Sequence, residues 1–305
     1  MKMPLACQQS LGPVQNLRPA SGSDNKWRNY RHRFVPWIAL NLRRNEGSLR
    51  HVTKSIQDKP IHDEVVSETL LKLFGALLER DGADGKQSLK ETRLRPKVVQ
   101  TKSNDAREMH EEGRMAESDD LIFQSLGFCI HRRPSSVPLA GVGVFITKGW
   151  VPKGTVVAMY PGTVYEAYEP IFFQSLRNPF VFRCIDGVLV DGNDKGISKL
   201  VYKSCSRRDM LGPYRLSDFS WLTANPKNPL AIGQYVNNCN DSPANVCYQE
   251  YDVPRVFPLE LHQYLPNVKY SHETQRPIRC IVLVSLRDIS PGEELFSNYY
   301  TIVES

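Results

Sequence analysis

No Cys-x-x-Cys pair occurs in the 305 residues; Cys7, Cys129, Cys184, Cys205, Cys239, Cys247 and Cys280 stand apart, and the seven histidines are equally scattered. The local pairing that structural zinc needs is missing, so no metal and no zinc are expected. An odd number of isolated thiols suits a reducing compartment, the nucleus or the cytosol. No apolar run approaches the roughly 18 residues of a membrane span, which predicts a chain with no membrane contact. From Met1 to Gln15 the apolar residues are interrupted by Pro4, Gln8, Gln9 and Ser10, so no signal-peptide core forms and an intracellular protein is expected. No repeat of fixed period is visible. The run Gly141-Val142-Gly143-Val144-Phe145-Ile146 fails the dinucleotide-binding fingerprint: Ile146 stands where the third glycine belongs, and no helical pattern follows.

What is present is ordinary globular composition, 41% hydrophobic and 24% charged. The charge is uneven. Between Lys26 and Lys59 there are nine Lys or Arg against Glu46 and Asp58 alone, with Trp27, Tyr30, Phe34 and Trp37 among them. Segment 26–59 is a candidate contact for nucleic acid or an acidic partner, with a solvated helical face as the blander alternative. Residues 1–25 read as a flexible tail. Val66, Leu70, Leu73, Phe74 and Leu77 recur at helical spacing, and Asp81-Gly82 reads as the stop. That predicts a helical N-terminal region over 26–81, packed on the main domain. Residues 82–118, rich in charge and poor in apolar positions, read as a linker.

Beyond residue 119 the texture is mainly β. Short runs (142–147, 155–160, 180–185, 188–190, 245–251 and 278–286) alternate with Gly and Pro turns, predicting several small curved sheets without helical crossovers. Four segments follow in order: Gly141-Val142-Gly143-Val144-Phe145; Val151-Pro152-Lys153-Gly154-Thr155 leading to Tyr160-Pro161-Gly162; Gln234-Tyr235-Val236-Asn237-Asn238-Cys239 with Pro243 and Asn245; and Arg287-Asp288-Ile289-Ser290-Pro291-Gly292-Glu293-Glu294-Leu295 reaching Tyr299. Singly these are loop glycines, turn signals and a solvated acidic edge. In this order they resemble the SET domain of protein lysine methyltransferases: its G-x-G strand, P-K-G-T turn, R-F-I-N-H-S segment and P-G-E-E-L close. The resemblance implies a SET-domain fold over 119–305, with its core at 140–300, an insert at about 192–231 and a C-terminal pseudoknot.

It further implies S-adenosyl-L-methionine as cofactor, held by Gly141, Val142, Gly143, Asn237, Asn238 and Tyr299. Tyr299 would be the catalytic tyrosine, with Tyr160, Tyr235 and Phe296 along a channel for the lysine of a protein substrate. Methyl transfer is an in-line displacement, so positioning does most of the work. A lysine amine must be neutral to attack, which costs about 4 kcal/mol at neutral pH from its reference pKa of ~10.4; apolar walls lower that cost. The sequence departs from the family pattern at Gln234 for Arg, Asn238 for His, Cys239 for Ser, Ala244 within the Pro-Asn pair and Asn298 for Asp. These changes keep two alternatives open: a non-catalytic SET-type binding module, and a nucleic-acid-associated scaffold working through 26–59. A cysteine hydrolase on Cys239 or Cys247 lacks a recognisable histidine partner motif.

Overall fold

In a computed structural model of the chain, the described residues are 30–33, 49–53, 59–94, 119–212, 214–238, 243–272, 275–298 and 300–304. The tail at 1–25, the rest of the 26–59 segment, residues 95–118, Cys239 and Tyr299 lie outside them.

The centre is a three-stranded antiparallel sheet. β14 (Arg279–Ser285) runs between β12 (Val246–Asp252) and β5 (Val156–Tyr160). All five residues of β5 are buried, as are six of seven in β12 and in β14. A strand buried on both faces loses the alternation of a surface strand, which is why β5 and β14 read as near-continuous apolar runs; β12 buries the polar Gln249 and Glu250 as well. β3 (Phe128–Pro134) and β4 (Val142–Gly149) form a hairpin. A seven-stranded sheet has the order β13-β6-β8-β7-β1-β16-β2. Its members are β1 (Tyr30–Arg33), β2 (Leu49–Thr53), β6 (Gly162–Tyr165), β7 (Val181–Arg183), β8 (Leu189–Asp191), β13 (Asn267–Lys269) and β16 (Tyr300–Glu304).

The predicted helical region at 26–81 needs correction. β1 and β2 are strands, and the backbone of β16 runs between them, antiparallel to β1 and parallel to β2. The helix α1 spans Asp63–Leu94 and continues past the expected stop at Asp81-Gly82 into the segment read as linker. A Gly costs a helix interior only about 1 kcal/mol, so Gly82 is a weak stop where the helix is anchored beforehand. The anchoring is strong. Val66, Leu70, Leu73, Phe74 and Leu77 are fully buried in the same cluster as β5, β12 and β14. Phe74 meets Phe257 edge-on at 6.3 Å and Tyr264 at 5.7 Å. Tyr264 donates to Asp81 Oδ2 at 3.0 Å, and Lys227 pairs with the same oxygen at 3.0 Å. α1 is thus part of the domain core.

The insert at 192–231 is a packed lobe. Its helix α2 (Gly196–Arg208) buries Tyr202 and Cys205 against Trp221, with Tyr202 edge-on to Trp221 at 4.9 Å. Arg208 caps the carbonyls of Lys269 at 2.8 Å and Tyr270 at 2.7 Å.

Candidate functional site

Four segments far apart in sequence meet beside the β3–β4 hairpin. A short parallel pair sets them: β11 (Asn237–Asn238) lies along β15 (Phe296–Ser297), with Asn237 opposite Phe296 and Asn238 opposite Ser297. Asn245, buried, clamps the closing segment. Its amide nitrogen donates to the Glu294 carbonyl at 2.8 Å, and its Oδ1 accepts the Phe296 N–H at 2.8 Å. On its other side the closing segment joins β4: Leu295 N–H donates to the Val144 carbonyl at 2.7 Å and Ile146 N–H to the Glu293 carbonyl at 3.0 Å. Asn237-Asn238, the closing segment and β4 at Val144 and Ile146 are therefore joined by backbone bonds, an arrangement in keeping with the expected C-terminal pseudoknot.

Inside this junction sits a residue that the sequence reading assigned to a solvated edge. Glu294 is 6% exposed. Its Oε1 accepts from Ser135 Oγ at 2.7 Å, and its Oε2 from Ser136 N at 2.7 Å and Ser136 Oγ at 2.6 Å. The Asn237 amide nitrogen adds a bond to Oε1 at 3.2 Å, and reaches Ser135 Oγ at 3.0 Å and the Val142 carbonyl at 3.1 Å. Burial alone would raise the carboxyl's pKa; the bonds from Ser136, Ser135 and Asn237 outweigh it and hold it below the ordinary value. No local signal marks Glu294, because its partners in the Ser135-Ser136 turn lie far away in the sequence.

The two glycines of the motif serve different ends. Gly141 has φ +76° with open space around it, a left-handed conformation that side chains disfavour. Gly143 makes room for Glu294: a Cβ there would stand 2.7 Å from Glu294 Cδ and closer still to Oε1. The clearance at Gly143 therefore serves the carboxylate.

The expected channel residues are placed as follows. Tyr160 is closed off from solvent, donating to the Phe180 carbonyl at 2.7 Å and packing on Phe182 and Tyr248. Tyr235 donates to Asp194 Oδ2 at 2.7 Å, with the Arg132 guanidinium 5.2 Å from its ring centroid. Burial, then Asp194, pushes its hydroxyl up to about 12. Phe296 is half-buried on β15, and Asn238 half-buried beside it. Gly141 and Val142 are exposed, so the strand's backbone faces solvent over this junction.

The geometry agrees with the comparisons. A family model for the SET domain matches residues 141–300. The chain belongs to the SET-domain family. SET domain-containing protein 9 of Homo sapiens is 56% identical over 290 residues, covering 91% of this chain and 96% of that relative. Its Pongo abelii counterpart is 56% identical over 269 residues, covering 84% and 97%. Among solved structures, ctPRC2 in an autoinhibited conformation bound to S-adenosylmethionine is 16% identical and covers 56% of this chain and 15% of that chain, with a TM-score of 0.31. That score is too low to bear on the site.

Elsewhere in this SET domain, Cys184, Asp186 and Glu250 bring ligand-type atoms within 4.8 Å of one another. The Arg279 guanidinium already pairs with Glu250 at 2.7 Å, Asp252 at 2.6 Å and Asp186 at 3.1 Å. Burial holds the Cys184 thiol well above its ordinary pKa. The group is an ion-pair cluster closing the end of the β7–β8 hairpin.

Proposed function

We propose that this SET-domain protein transfers a methyl group from S-adenosyl-L-methionine to a lysine side chain of a protein substrate. The observation that carries the reading is the β11–β15 pairing, which brings Asn237 and Asn238 to the closing segment and, through Asn237 and Glu294, to the Gly141–Gly143 strand. This junction fits the cofactor. Gly141 and Val142 are exposed, half-buried Asn238 follows Asn237 on β11, and a buried network fixes the turn beneath. When bound, S-adenosyl-L-methionine supplies the methyl group on a sulfonium.

The chain's own residues position and desolvate. Gly141 and Val142 present exposed backbone whose carbonyls already accept from the Ser135 N–H and the Asn237 amide, and Asn238 carries an amide with both donor and acceptor. Asn237 has its amide nitrogen turned inward, so it shapes the pocket through Glu294. Phe296 contributes apolar wall, which favours a neutral lysine amine. Tyr299, between β15 and β16 in the chain, is assigned the hydroxyl that aligns that amine; Tyr160 is buried in the core and Tyr235 is tied to Asp194.

The test is calorimetric titration of the full chain with S-adenosyl-L-methionine, beside transfer of a labelled methyl group to lysine-containing proteins and peptides. Saturable binding in both wild type and Tyr299→Phe, with transfer lost in the variant, is the expected result. A folded wild type that binds no cofactor overturns the reading; binding without transfer to any lysine pool points to the non-catalytic module instead.

A further inference from the structure

The tip of the β3–β4 hairpin carries a second pattern. From β3 into the turn the sequence reads Arg132-Arg133-Pro134-Ser135-Ser136. The arginines stand two and three residues before Ser135, and three and four before Ser136. Arg133, Pro134 and Ser136 are exposed and Ser135 is half-buried. Leu139, further round the turn, is fully exposed, so the tip projects where another protein can reach it. Closely spaced cations before a serine give an acidic enzyme groove something to hold, and the β3–β4 pairing ends at Pro134, leaving both serines in the turn.

Both hydroxyls have a structural task. Each donates its hydrogen to Glu294, at 2.7 Å from Ser135 and 2.6 Å from Ser136. That carboxylate in turn fills the space beside Gly143 and receives the amide of Asn237. We propose that the Ser135-Ser136 pair is a phosphorylation site for an arginine-directed protein kinase, and that modification opens the Glu294 junction. In the step, the serine Oγ bonds to the γ-phosphorus of ATP as that phosphorus parts from the β–γ bridging oxygen. ADP leaves, and the hydroxyl proton passes to the kinase's base. The product has lost its donor hydrogen and carries about −1.5 to −2 charge at neutral pH. Facing it is Glu294, which only accepts hydrogen bonds. Two acceptor-only anions cannot share that contact, so the turn swings outward and the phosphate is taken up by solvent and the exposed Arg133. The Gly141–Gly143 strand loses its support underneath.

That this lowers cofactor affinity rests on the proposed function; the opening of the turn does not. The full-length protein is treated with an arginine-directed serine/threonine kinase and ATP. Phosphate is mapped by mass spectrometry, amide hydrogen exchange is followed over 134–143 and 292–297, and S-adenosyl-L-methionine is titrated into both forms. One phosphate on Ser135 or Ser136 is expected, absent from the Ser135→Ala/Ser136→Ala double variant and incorporated about tenfold more slowly in Arg133→Ala. Faster exchange in both segments and cofactor binding weaker by at least about tenfold should accompany it. No phosphate at the pair, or phosphate with exchange unchanged, overturns the proposal. Unmodified protein that binds no cofactor overturns the functional reading instead, while mapping and exchange still decide this one.

Discussion

Glu294 accepts four hydrogen bonds from three residues while almost all of its surface is withdrawn from water. Replacing it by Gln puts an N–H₂ against the donors of Ser135, Ser136 or Asn237, and a cost of about 1–3 kcal/mol is expected in urea unfolding. The sign of the pH dependence follows from its lowered pKa. The stabilisation is present above the ordinary glutamate value of ~4.3 and is lost as pH falls through the folded value. The stability gap between wild type and Glu294→Gln should therefore narrow on acidification below about pH 4; a gap independent of pH would show that the ionised form is not what the site stabilises. Gly143 and Glu294 should also be coupled. Gly143→Ala forces the carboxylate out, so its cost should fall by at least about 1 kcal/mol when Glu294 is already Ala. Gly141→Ala, whose cost comes from φ +76°, should be just as costly in the Glu294→Ala background.

α1 makes the argument at the scale of elements. Its stripe from Val66 to Leu77 is fully buried among β5, β12 and β14, and Phe74 packs against Phe257 and Tyr264. Phe74→Ala should cost about 3–5 kcal/mol, seen as a lower midpoint of the single main unfolding transition. Leu71→Ala, on the exposed side at 36%, should stay within about 0.5 kcal/mol. A separate early transition in the Phe74 variant would instead mean a helix that folds by itself. The elements legible in the sequence are those whose pattern states their burial. The apolar runs of β5 and β14 and the α1 stripe belong to one core, so hydrophobicity outlined them, whereas β12, with Gln249 and Glu250 mid-strand, was marked by its valine and aromatic residues. β3 was missed because its second half, His131-Arg132-Arg133, is polar: His131 bonds Thr147 at 2.8 Å and pairs with Asp119 at 3.1 Å. α2 was missed because Ser198, Ser206 and Cys205 sit on its buried side, where periodicity expects larger apolar residues. At the site, the motif glycines and Asn237-Asn238 were legible by order and spacing. Glu294 was not, since its burial depends on a turn some 160 residues away in sequence.

At the scale of the whole molecule, the two ends of the chain meet in one sheet. β1 bridges β7 and β16, pairing His32 with both Arg183 and Tyr300, and β2 runs beside the full length of β16 from Leu49 opposite Tyr300 to Thr53 opposite Glu304. Residue 299 is the immediate neighbour of that pairing, so the N-terminal strands brace the chain just beyond the proposed catalytic tyrosine. α1 and β14 share one buried cluster with β5 and β12. Stability of the core should therefore be separable from bracing of the closing segment. A chain beginning at Lys59 should keep a cooperative unfolding transition, because α1 and the central sheet remain. It should lose protection from amide exchange over 300–304, where β16 loses both strand partners. S-adenosyl-L-methionine at about 100 times its dissociation constant stabilises a binding-competent fold by about 2.7 kcal/mol, or roughly 5–10 °C in melting temperature for a domain of this size. That shift is expected in the full chain and should be reduced or absent in the shortened one. Exchange over 300–304 that is unchanged by removing residues 1–58 would show that β16 is held from elsewhere, and an undiminished thermal shift would place the bracing of the cofactor site entirely in β11, β15 and Asn245.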